Sequence, residues 1–416
     1  MKNSGIEWIG NIPDSWSLSR LQWHLSEIKE SNDPVKTTQV LSLTNKLGVI
    51  PYEEKGDHGN KAKENLNEYK LAYPGTIVAN SMNILIGSVG KCDYFGCVSP
   101  VYYVFKPNDG ENIDFLNYVF QTEQFQKELR RYANGILEIR LRVSASDILK
   151  REIAFPSKEV QALIVCYLNG KISDIDQLIE IEEQQINQLI EYKNAVITET
   201  LDGKTISGIV PFTKKKLRWM CDLISKGTTP STIGRPVLSE GPVKFLRAEN
   251  IQNSSVNLEN QLFIDEETNQ MMARSQLMAN DILFVIAGAT IGKTAILGSE
   301  HIPANTNQAV SFVRLSKNEQ KRAKYIWYFL QSNHIKDKLN LLSVQSAQPN
   351  LSMEDLGNFF IPLYNEANES TIVEYLDTFC QEINETIAGK NKKIVLLEQY
   401  KKTLIYECIT GKKEVE

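Results

Sequence analysis

The second half of this chain repeats the first at an offset of 208 residues, and this repeat constrains the fold more than any other feature. Residues 167–204 align with residues 375–412 without a gap, and 12 of the 38 aligned positions are identical. Solenoid proteins repeat units of about 20 to 50 residues, so this longer period predicts two lobes rather than a stacked array. We expect pseudo-twofold symmetry, which suits a ligand that itself has two halves.

Both repeated segments carry apolar residues at alternating spacings of three and four, which is typical of a coiled coil. The predicted seam residues are Leu168, Ile172, Ile175, Ile179, Ile186 and Leu189 in the first segment and Leu376, Ile383, Ile387, Ile394 and Leu397 in the second. Gly203 and Gly411 predict the helix ends, because glycine tolerates the left-handed conformation found just after a helix. Each helix of about 33 residues would span roughly 50 Å.

Charged residues interrupt the seam at matching positions of the repeat, with Glu182 and Lys193 in the first segment and Lys390 and Lys401 in the second. If the two helices pair antiparallel, Glu182 and Lys390 lie close together, and such opposite charges can fix the register of a coiled coil. The alternative is that these side chains extend out of the seam into solvent. Pairing within the chain is favoured over a homodimeric coiled coil, because the tether raises the effective concentration of the helices.

Outside these helices, the two lobes resemble each other more weakly. Apolar β-like runs occur at 76–79 and 101–105 in the first lobe and at 282–286 and 309–313 in the second. Each lobe continues with a helical stretch and a Ser-x-x-Asp motif, at Ser144 and Ser352. This order predicts an α+β fold with one twisted sheet in each lobe. The predicted segments are lobe one at 1–158, a helix at 159–203, a linker at 204–211, lobe two at 212–364 and a helix at 365–416.

Composition argues against several classes of protein. No stretch approaches 18 uninterrupted apolar residues and the N-terminus lacks an apolar signal core, so we expect a cytoplasmic protein without a membrane span. The six cysteines form no CxxC pair and the four histidines lie outside metal-ligand spacing, so we expect reduced thiols and no metal. A net charge of −5 argues against a protein that coats nucleic acid, but not against a sequence-specific reader with local basic loops.

One motif suggests nucleotide chemistry. Residues 287–294, Ala-Gly-Ala-Thr-Ile-Gly-Lys-Thr, fit a relaxed phosphate-loop pattern. A nucleotide-binding loop opens a helix, whereas residues 295–303 resemble a strand and a turn, and the counterpart at Gly90-Lys91 lacks the hydroxyl. A Gly-Lys turn that approaches a DNA backbone explains both copies better. Neither a nucleophile–histidine pairing nor a paired-carboxylate motif stands out, so we expect no catalysis by the chain itself.

Several short motifs spread over the whole chain belong together. They are Trp8-Ile9-Gly10-Asn11-Ile12-Pro13-Asp14-Ser15-Trp16, the prolines Pro156 and Pro362 before the long helices, Gly227-Thr228-Thr229-Pro230, the segment 282–294 and Ala347-Gln348-Pro349-Asn350-Leu351-Ser352. With the internal repeat, this pattern resembles the specificity subunit of type I restriction-modification systems.

The resemblance implies two target-recognition domains held apart by an antiparallel helix pair, each domain reading one half of a bipartite double-stranded DNA target. It also implies that the helices dock two methyltransferase subunits and that restriction subunits, which are motor nucleases, join the complex. S-adenosylmethionine, ATP and Mg²⁺ are then expected in those partners, with no cofactor in this chain. Because the chain is acidic, we expect the partners to supply much of the phosphate clamp and the isolated chain to bind DNA weakly.

Polar loop residues are the candidates for reading bases, since their donors and acceptors distinguish base edges. In lobe one the candidates are Asn80, Ser81, Asn83, Lys91, Arg140 and Arg142. In lobe two they are Arg247, Glu249, Asn250, Thr290, Lys293, Asn305, Asn307, Gln345 and Gln348. Two alternatives stay open: the recognition subunit of a type IIB-like restriction system, and a coiled-coil adaptor whose lobes bind no DNA.

Overall fold

The computed structural model consists of two units, each built from one lobe and parts of two long helices. It describes residues 1–44, 48–55, 65–135, 141–211, 213–252, 255–345 and 350–415. Unit 1 comprises Met1–Glu182 and Asn391–Glu416, and unit 2 comprises Glu183–Lys390. The boundary between the units therefore crosses both long helices.

Unit 1 contains a four-stranded antiparallel sheet in the order β4-β11-β8-β9, with four two-stranded ladders beside it. Its strands are β1 (Lys2–Asn3), β2 (Asn11–Ile12), β3 (Ser17–Arg20), β4 (Leu25–Ile28), β5 (Leu41–Thr44), β6 (Gly48–Pro51), β7 (Lys70–Ala72), β8 (Thr76–Asn80), β9 (Val89–Cys92), β10 (Gly96–Val98), β11 (Tyr102–Pro107) and β12 (Glu152–Phe155). The helices of this half are α1 (Ile113–Gln121), α2 (Glu123–Arg130), α3 (Ala145–Leu149) and the long α4 (Lys158–Leu201).

Unit 2 has an equivalent antiparallel sheet in the order β14-β23-β20-β21 and a second sheet in the order β18-β15-β22-β19, where β15 and β22 run parallel. Its strands are β13 (Thr213–Lys216), β14 (Cys221–Lys226), β15 (Val243–Leu246), β16 (Ile251–Gln252), β17 (Ser255–Val256), β18 (Leu262–Ile264), β19 (Gln276–Leu277), β20 (Ile282–Val285), β21 (Thr294–Ile296), β22 (Ala304–Thr306), β23 (Val310–Leu315) and β24 (Phe360–Leu363). The helices are α5 (Glu266–Met271), α6 (Ala323–Phe329), α7 (Asn333–Gln345), α8 (Met353–Asn358) and the long α9 (Glu366–Ile409). The predicted α+β class is confirmed.

The central strand of each four-stranded sheet is buried on both faces. In β8, Ile77 belongs to one hydrophobic core and Val78 to another. In β20, Phe284 likewise belongs to one hydrophobic core and Leu283 to another. Successive side chains of a strand point to opposite faces, so the middle of a strand between two cores is apolar at successive positions. This explains why both segments read as continuous apolar runs in the sequence.

The helical stretch after each sheet is shorter than the sequence pattern suggests, because it is broken into two helices. In unit 1 the break lies at Thr122, which has an extended backbone and whose hydroxyl donates to the Val119 carbonyl at 2.8 Å. In unit 2 the break lies at the buried Ser332, whose hydroxyl donates to the Phe329 carbonyl at 2.6 Å.

The long helices each have 44 residues, which exceeds the length estimated from the heptad pattern alone. At 1.5 Å per residue each helix is about 66 Å long. Both helices start before the aligned segments 167–204 and 375–412, at Lys158 and Glu366, so the extent of that alignment understates their length.

Both long helices end in the same glycine-capped turn, as predicted. Gly203 and Gly411 adopt positive φ values of +74° and +70°. The backbone N–H of Lys204 donates to the Glu199 carbonyl at 2.9 Å, and Lys412 donates to Glu407 at 2.8 Å. These are Schellman turns, in which a left-handed residue lets the chain satisfy the last free carbonyls of the helix.

The two long helices pair antiparallel inside each unit. In unit 1, Lys393 and Lys401 bind Glu182 and Asp176, at 2.6 Å and 2.7 Å, so the residue numbers run in opposite directions. In unit 2, Lys193 donates to the Asn384 side chain at 3.0 Å, and Lys390 donates to Gln185. The predicted antiparallel arrangement is therefore found in both units.

The predicted seam residues are all buried or partly buried. Leu168 and Leu376 are fully buried, whereas Ile186 is half-buried. The charged residue Glu182 is 6% exposed and Lys193 is 5% exposed, so these two do not extend into solvent. Burial lowers the pKa of Lys193. None of the helices in the described part of the chain has a stretch long and apolar enough to cross a bilayer.

Candidate functional site

In each unit a hairpin loop follows the central buried strand, and several candidate residues lie on it. The loop of unit 1 joins β8 to β9, and the loop of unit 2 joins β20 to β21. The segment before the Ser-x-x-Asp helix lies against each loop. Val143 donates its backbone N–H to the Ser81 carbonyl at 3.3 Å, and Leu351 donates to the Ile286 carbonyl at 3.0 Å.

We name these two surfaces by their residues. Edge 1 comprises residues 80–88 and 141–143 of unit 1. Edge 2 comprises residues 286–293 and 350–351 of unit 2. The same elements build both edges in the same order, so the duplication seen in the helices extends to the loops of the lobes.

Edge 1 presents Asn83 to solvent, while its neighbours are held inside. Asn80 and Ser81 are 8% and 4% exposed. The side-chain oxygen of Asn80 accepts the backbone N–H of Met82 at 3.0 Å and thereby shapes the turn. Gly87 closes the loop with a φ of +85°, a conformation that glycine adopts without strain. Of these predicted residues, Asn83 is the one whose side chain is free to meet a ligand.

Arg142 is exposed beside this loop. Its backbone is fixed by two hydrogen bonds with Asn134, at 2.8 Å and 2.9 Å. Its guanidinium lies 3.7 Å from the sulfur of Met82, within the loop that carries Asn80, Ser81 and Asn83. Among the described residues, no carboxylate forms an ion pair with Arg142. A fixed backbone and an unpaired guanidinium suit this side chain to an external acceptor.

Lys91 is engaged within unit 1. Its ammonium lies 3.0 Å from a carboxylate oxygen of Asp114, at the start of α1, and 3.7 Å from Asp93. The hydrogen bond that Lys91 donates to Asp114 raises the pKa of Lys91. Its cationic charge is therefore partly neutralised by this pairing, which ties β9 to α1.

Edge 2 is a glycine-rich turn between β20 and β21. Gly288 and Gly292 have φ values of +93° and +90°. Thr290 and Lys293 are half-buried, and the backbone N–H of Lys293 donates to the Thr290 carbonyl at 3.2 Å. Within the described ranges, Lys293 has no carboxylate partner, so edge 2 carries a cation that is not neutralised by an ion pair.

The phosphate-loop pattern does not have the structure that nucleotide binding requires. Lys293 leads directly into strand β21, which pairs antiparallel with β20. Thr294 is fully buried in this strand. A phosphate loop places its backbone amides at the N-terminus of a helix, whereas here the chain continues as a hairpin. The sequence argument against a nucleotide site is therefore supported by the strand.

The predicted residues of the turn after β15 bind one another. Arg247 forms an ion pair with Glu249 and donates to the Asn260 carbonyl at 3.3 Å. Asn250 is 1% exposed, accepts the backbone N–H of Arg247 at 2.9 Å and donates to the Asn257 carbonyl at 2.9 Å. Glu249 remains exposed, whereas Asn250 is a structural residue of the turn.

The predicted asparagines after β22 also serve the fold. Asn305 is fully buried and donates to the Asn269 side chain and to the Met272 carbonyl, at 3.0 Å and 3.2 Å. Asn307 is half-buried and accepts the backbone N–H of Ala309 at 3.2 Å. The remaining candidates, Arg140, Gln348 and the side chain of Gln345, lie outside the described part of the chain.

A serine, a histidine and a glutamate meet in unit 1, where the sequence suggests no nucleophile–histidine pairing. The hydroxyl of Ser19 lies 2.6 Å from Nε2 of His24, and Nδ1 of His24 lies 3.1 Å from a Glu111 oxygen. The three residues resemble a nucleophile with its base and orienting acid, an arrangement that no sequence motif indicated. Ser19 and His24 lie five residues apart, so their proximity could be suspected from the sequence. Glu111 is distant in sequence, so its contact with His24 could not.

This trio is packed as a structural element. Ser19 is paired with Ile153 in the β3–β12 ladder, and the His24 ring stacks on Phe155 at a centroid distance of 3.8 Å. His24 is 8% exposed. Acyl transfer also requires donors aimed at the oxyanion and room for a substrate carbonyl. We assign the trio to the core, where it ties β3 and β4 to the turn before α1.

Comparison with known proteins identifies the domain of the second half. Residues 209–396 match the family model of the type I restriction modification DNA specificity domain. The chain is 20% identical to the type I restriction enzyme StySPI specificity subunit of Salmonella potsdam over 177 residues. This match covers 42% of the chain and 37% of the relative, so it spans little more than a third of the relative's length.

The fold is shared over nearly the whole chain. A chain from a structure concerning complex assembly and conformational transition of the type I R-M system superposes with a TM-score of 0.65 at 13% identity, covering 97% of this chain and 100% of that chain. The HsdS subunit from Thermoanaerobacter tengcongensis gives a TM-score of 0.45 at 14% identity, covering 97% and 98%. At this identity, the first likeness concerns the fold alone. The second half of this chain thus matches the type I restriction modification DNA specificity domain, and the curated relative and the shared fold are likewise similarities to type I restriction-modification proteins.

Proposed function

We propose that the chain gives sequence specificity to a type I restriction-modification complex, with each unit reading one half of a bipartite DNA target. The observation that carries this proposal is the duplication of the edges. Edge 1 and edge 2 follow the same buried strand of equivalent sheets and are flanked by the same segment. Two copies of one surface suit a target made of two half-sites.

The side chains proposed to meet DNA are those that burial leaves available. In unit 1 these are Asn83 and Arg142, and in unit 2 they are Thr290 and Lys293. Amide and guanidinium groups distinguish base edges, whereas an ammonium suits a phosphate oxygen. We therefore assign base reading to Asn83 and Arg142, and a backbone contact to Lys293.

The other predicted residues have different proposed roles. Asn80, Ser81, Asn250 and Asn305 are buried and support the loops from within. Lys91, Arg247 and Glu249 lie in ion pairs and are weaker candidates for direct contact. Asn307, Arg140, Gln345 and Gln348 stay candidates for contact with DNA.

The helix pair is proposed to hold the half-site readers at a fixed spacing and to dock two methyltransferase subunits. Restriction subunits would join the same complex. S-adenosylmethionine, ATP and Mg²⁺ would then be bound by these partners, and the chain itself would be non-catalytic. The net charge of −5 supports this division of labour, because the partners would contribute much of the positive surface that DNA requires.

Single-molecule sequencing of host DNA for modified adenines, with this gene intact and deleted, tests the proposal. We expect a bipartite motif in the intact strain that disappears on deletion. Expression of the methyltransferase is confirmed in both strains as the control. An unchanged set of modified adenines would contradict the proposal.

Replacement of lobe two by a second copy of lobe one separates this function from its alternatives. A specificity subunit with two copies of lobe one is expected to methylate a symmetric target built from two copies of one half-site, whereas an adaptor that binds no DNA leaves the methylated motif unchanged. A type IIB-like recognition subunit also changes its target, but it is recognised by cleavage on both sides of the site.

A further inference from the structure

The polar contacts of the helix seam recur under the 208-residue offset. In unit 1, the ammonium of Lys393 lies 2.6 Å from a carboxylate oxygen of Glu182. The equivalent positions in the repeat are Gln185 and Lys390. These two residues also meet, since Lys390 donates to the side-chain oxygen of Gln185 in unit 2. One contact is thus built twice, once as an ion pair and once as a charge–amide hydrogen bond.

A second contact follows the same rule. Lys401 binds both carboxylate oxygens of Asp176, at 2.7 Å and 2.8 Å, in unit 1. The equivalent positions are Lys193 and Asn384, which form a 3.0 Å hydrogen bond in unit 2. The positions are therefore symmetric between α4 and α9, while the charges at these positions are not.

This asymmetry decides which helices can pair. If a second copy of α9 took the place of α4, its Lys393 would stand at the position of Gln185 and would face Lys390 of the first copy. Its Lys390 would stand at the position of Glu182 and would face Lys393 of the first copy, so two lysine pairs would be brought together. Like charges placed side by side oppose association. Pairing of α4 with α9 instead puts a carboxylate or an amide oxygen opposite each lysine.

The same contacts also select the register. A shift of one heptad in either direction would place Glu182 opposite Thr386 or Tyr400 in place of Lys393. Glu182 is 6% exposed in the observed register, so the shift would remove a close ammonium partner from a buried carboxylate. A charge in a coiled-coil seam is tolerated where its partner is present, and this requirement specifies register.

We propose that Glu182, Gln185, Lys390 and Lys393 form a pairing code that accepts α4 against α9 in this register and rejects a second copy of α9. The code makes the helix pair heterotypic, although the two helices descend from one repeated pattern. This inference goes beyond the proposed function, because it does not depend on what the lobes bind.

Two variants of the full chain test the code. The double variant Glu182→Lys with Gln185→Lys gives α4 the charges of α9 and reproduces the rejected pairing within one chain. Adding Lys390→Glu and Lys393→Gln to it exchanges the whole code between the helices. The matched control is Glu183→Lys with Asn187→Lys, which makes the same charge change at exposed positions of α4.

Thermal unfolding midpoints and oligomeric state are measured for all three. We expect the double variant to fall about 5 °C or more below the control, and the fourfold variant to return to within about 2 °C of the unchanged chain. A double variant as stable as the control would overturn the proposal. If the double variant does not fold, recovery of a folded fourfold variant supports the code, and failure of that recovery contradicts it.

Discussion

At the scale of single residues, burial separates polar side chains that build the loops from those that can meet a ligand. Asn80 and Asn83 belong to one short stretch, yet the first is 8% exposed and the second points to solvent. The residue types are the same, so composition cannot distinguish them. The position of each residue relative to the buried strand β8 makes the difference.

Arg142→Ala is expected to impair recognition in one half of the target without changing stability. The guanidinium is exposed and, in the described part of the chain, has no ion-pair partner. Loss of a bidentate contact to guanine removes about 1–3 kcal/mol of discrimination at one base pair. Methylation rates of duplexes that vary in each half-site, measured with the assembled complex, check this. Lys150→Ala, at an exposed position of the same unit, is the control, and equal effects of both variants would argue against base reading by Arg142.

Ser352→Ala is expected to destabilise the protein by about 0.5–2 kcal/mol through the lost cap of α8. The Ser352 hydroxyl accepts the backbone N–H of Asp355 at 3.0 Å and donates to its carboxylate at 2.7 Å. Denaturant unfolding measures the change, and Ser370→Ala, exposed on α9, is expected to stay within about 0.5 kcal/mol. A silent Ser352→Ala would mean that the cap does not stabilise the helix.

The same cap predicts a pH dependence. The hydrogen bond from Ser352 lowers the pKa of Asp355. A carboxyl group with a lowered folded-state pKa contributes stability that is fully present above its unfolded pKa, about 3.9, and is lost as the pH falls through the lowered value. The difference in unfolding free energy between the unchanged chain and Ser352→Ala should therefore be smaller at acid pH than at pH 7.

At the scale of elements, a glycine inside α4 and the glycine that caps it are expected to respond to alanine with opposite signs. A Cβ atom at Gly203 would lie 2.7 Å from the Ile209 carbonyl oxygen, and φ is +74°. Gly203→Ala should therefore destabilise by about 1–2 kcal/mol or more. Gly170 lies inside α4 with open space around it, so Gly170→Ala should stabilise by about 0.5–1 kcal/mol. Urea unfolding measures the change in unfolding free energy of each variant. Changes of the same sign in the two variants would contradict this account.

The seam of α4 predicts a graded response to truncation. Leu168 is fully buried and Leu168→Ala is expected to cost about 2–5 kcal/mol. Ile186 is half-buried, so Ile186→Ala should cost less, near or below the lower end of that range. Leu163, which is 49% exposed on the same helix, is the matched control. Unfolding free energies that do not follow this order would show that the seam is not the stabilising face.

At the scale of the whole molecule, the acidic chain is expected to bind DNA well only within the proposed complex with methyltransferase subunits. With a net charge of −5, it can neutralise few phosphates by itself. The logarithm of the DNA-binding constant falls linearly with the logarithm of the salt concentration, with a slope of about −0.9 for each phosphate that the protein neutralises. Titrations from about 50 to 200 mM salt should give a clearly steeper slope for the assembled complex than for the isolated chain. Equal slopes would place the phosphate contacts on this chain.

The sequence by itself determined the features that depend on periodicity. The 208-residue repeat, the heptads and the glycine caps predicted two lobes, two long helices and their ends, because side-chain spacing alone decides which face of a helix is apolar. The apolar runs located strands β8 and β20 for the same reason. The estimate of helix length from the heptad pattern alone was too short, since that pattern was read only over the aligned segments 167–204 and 375–412.

Contacts between distant segments were decided only by the tertiary structure. Arg142 lies beside Met82, Lys91 binds Asp114, and His24 meets Glu111 across many intervening residues. The partner of Glu182 in the helix seam is Lys393 in unit 1, a residue outside the predicted seam. Such contacts depend on the rotation of a side chain and on the packing of its neighbours. A linear pattern records neither, so the identity of the helices followed from the sequence and the partners of their charges did not.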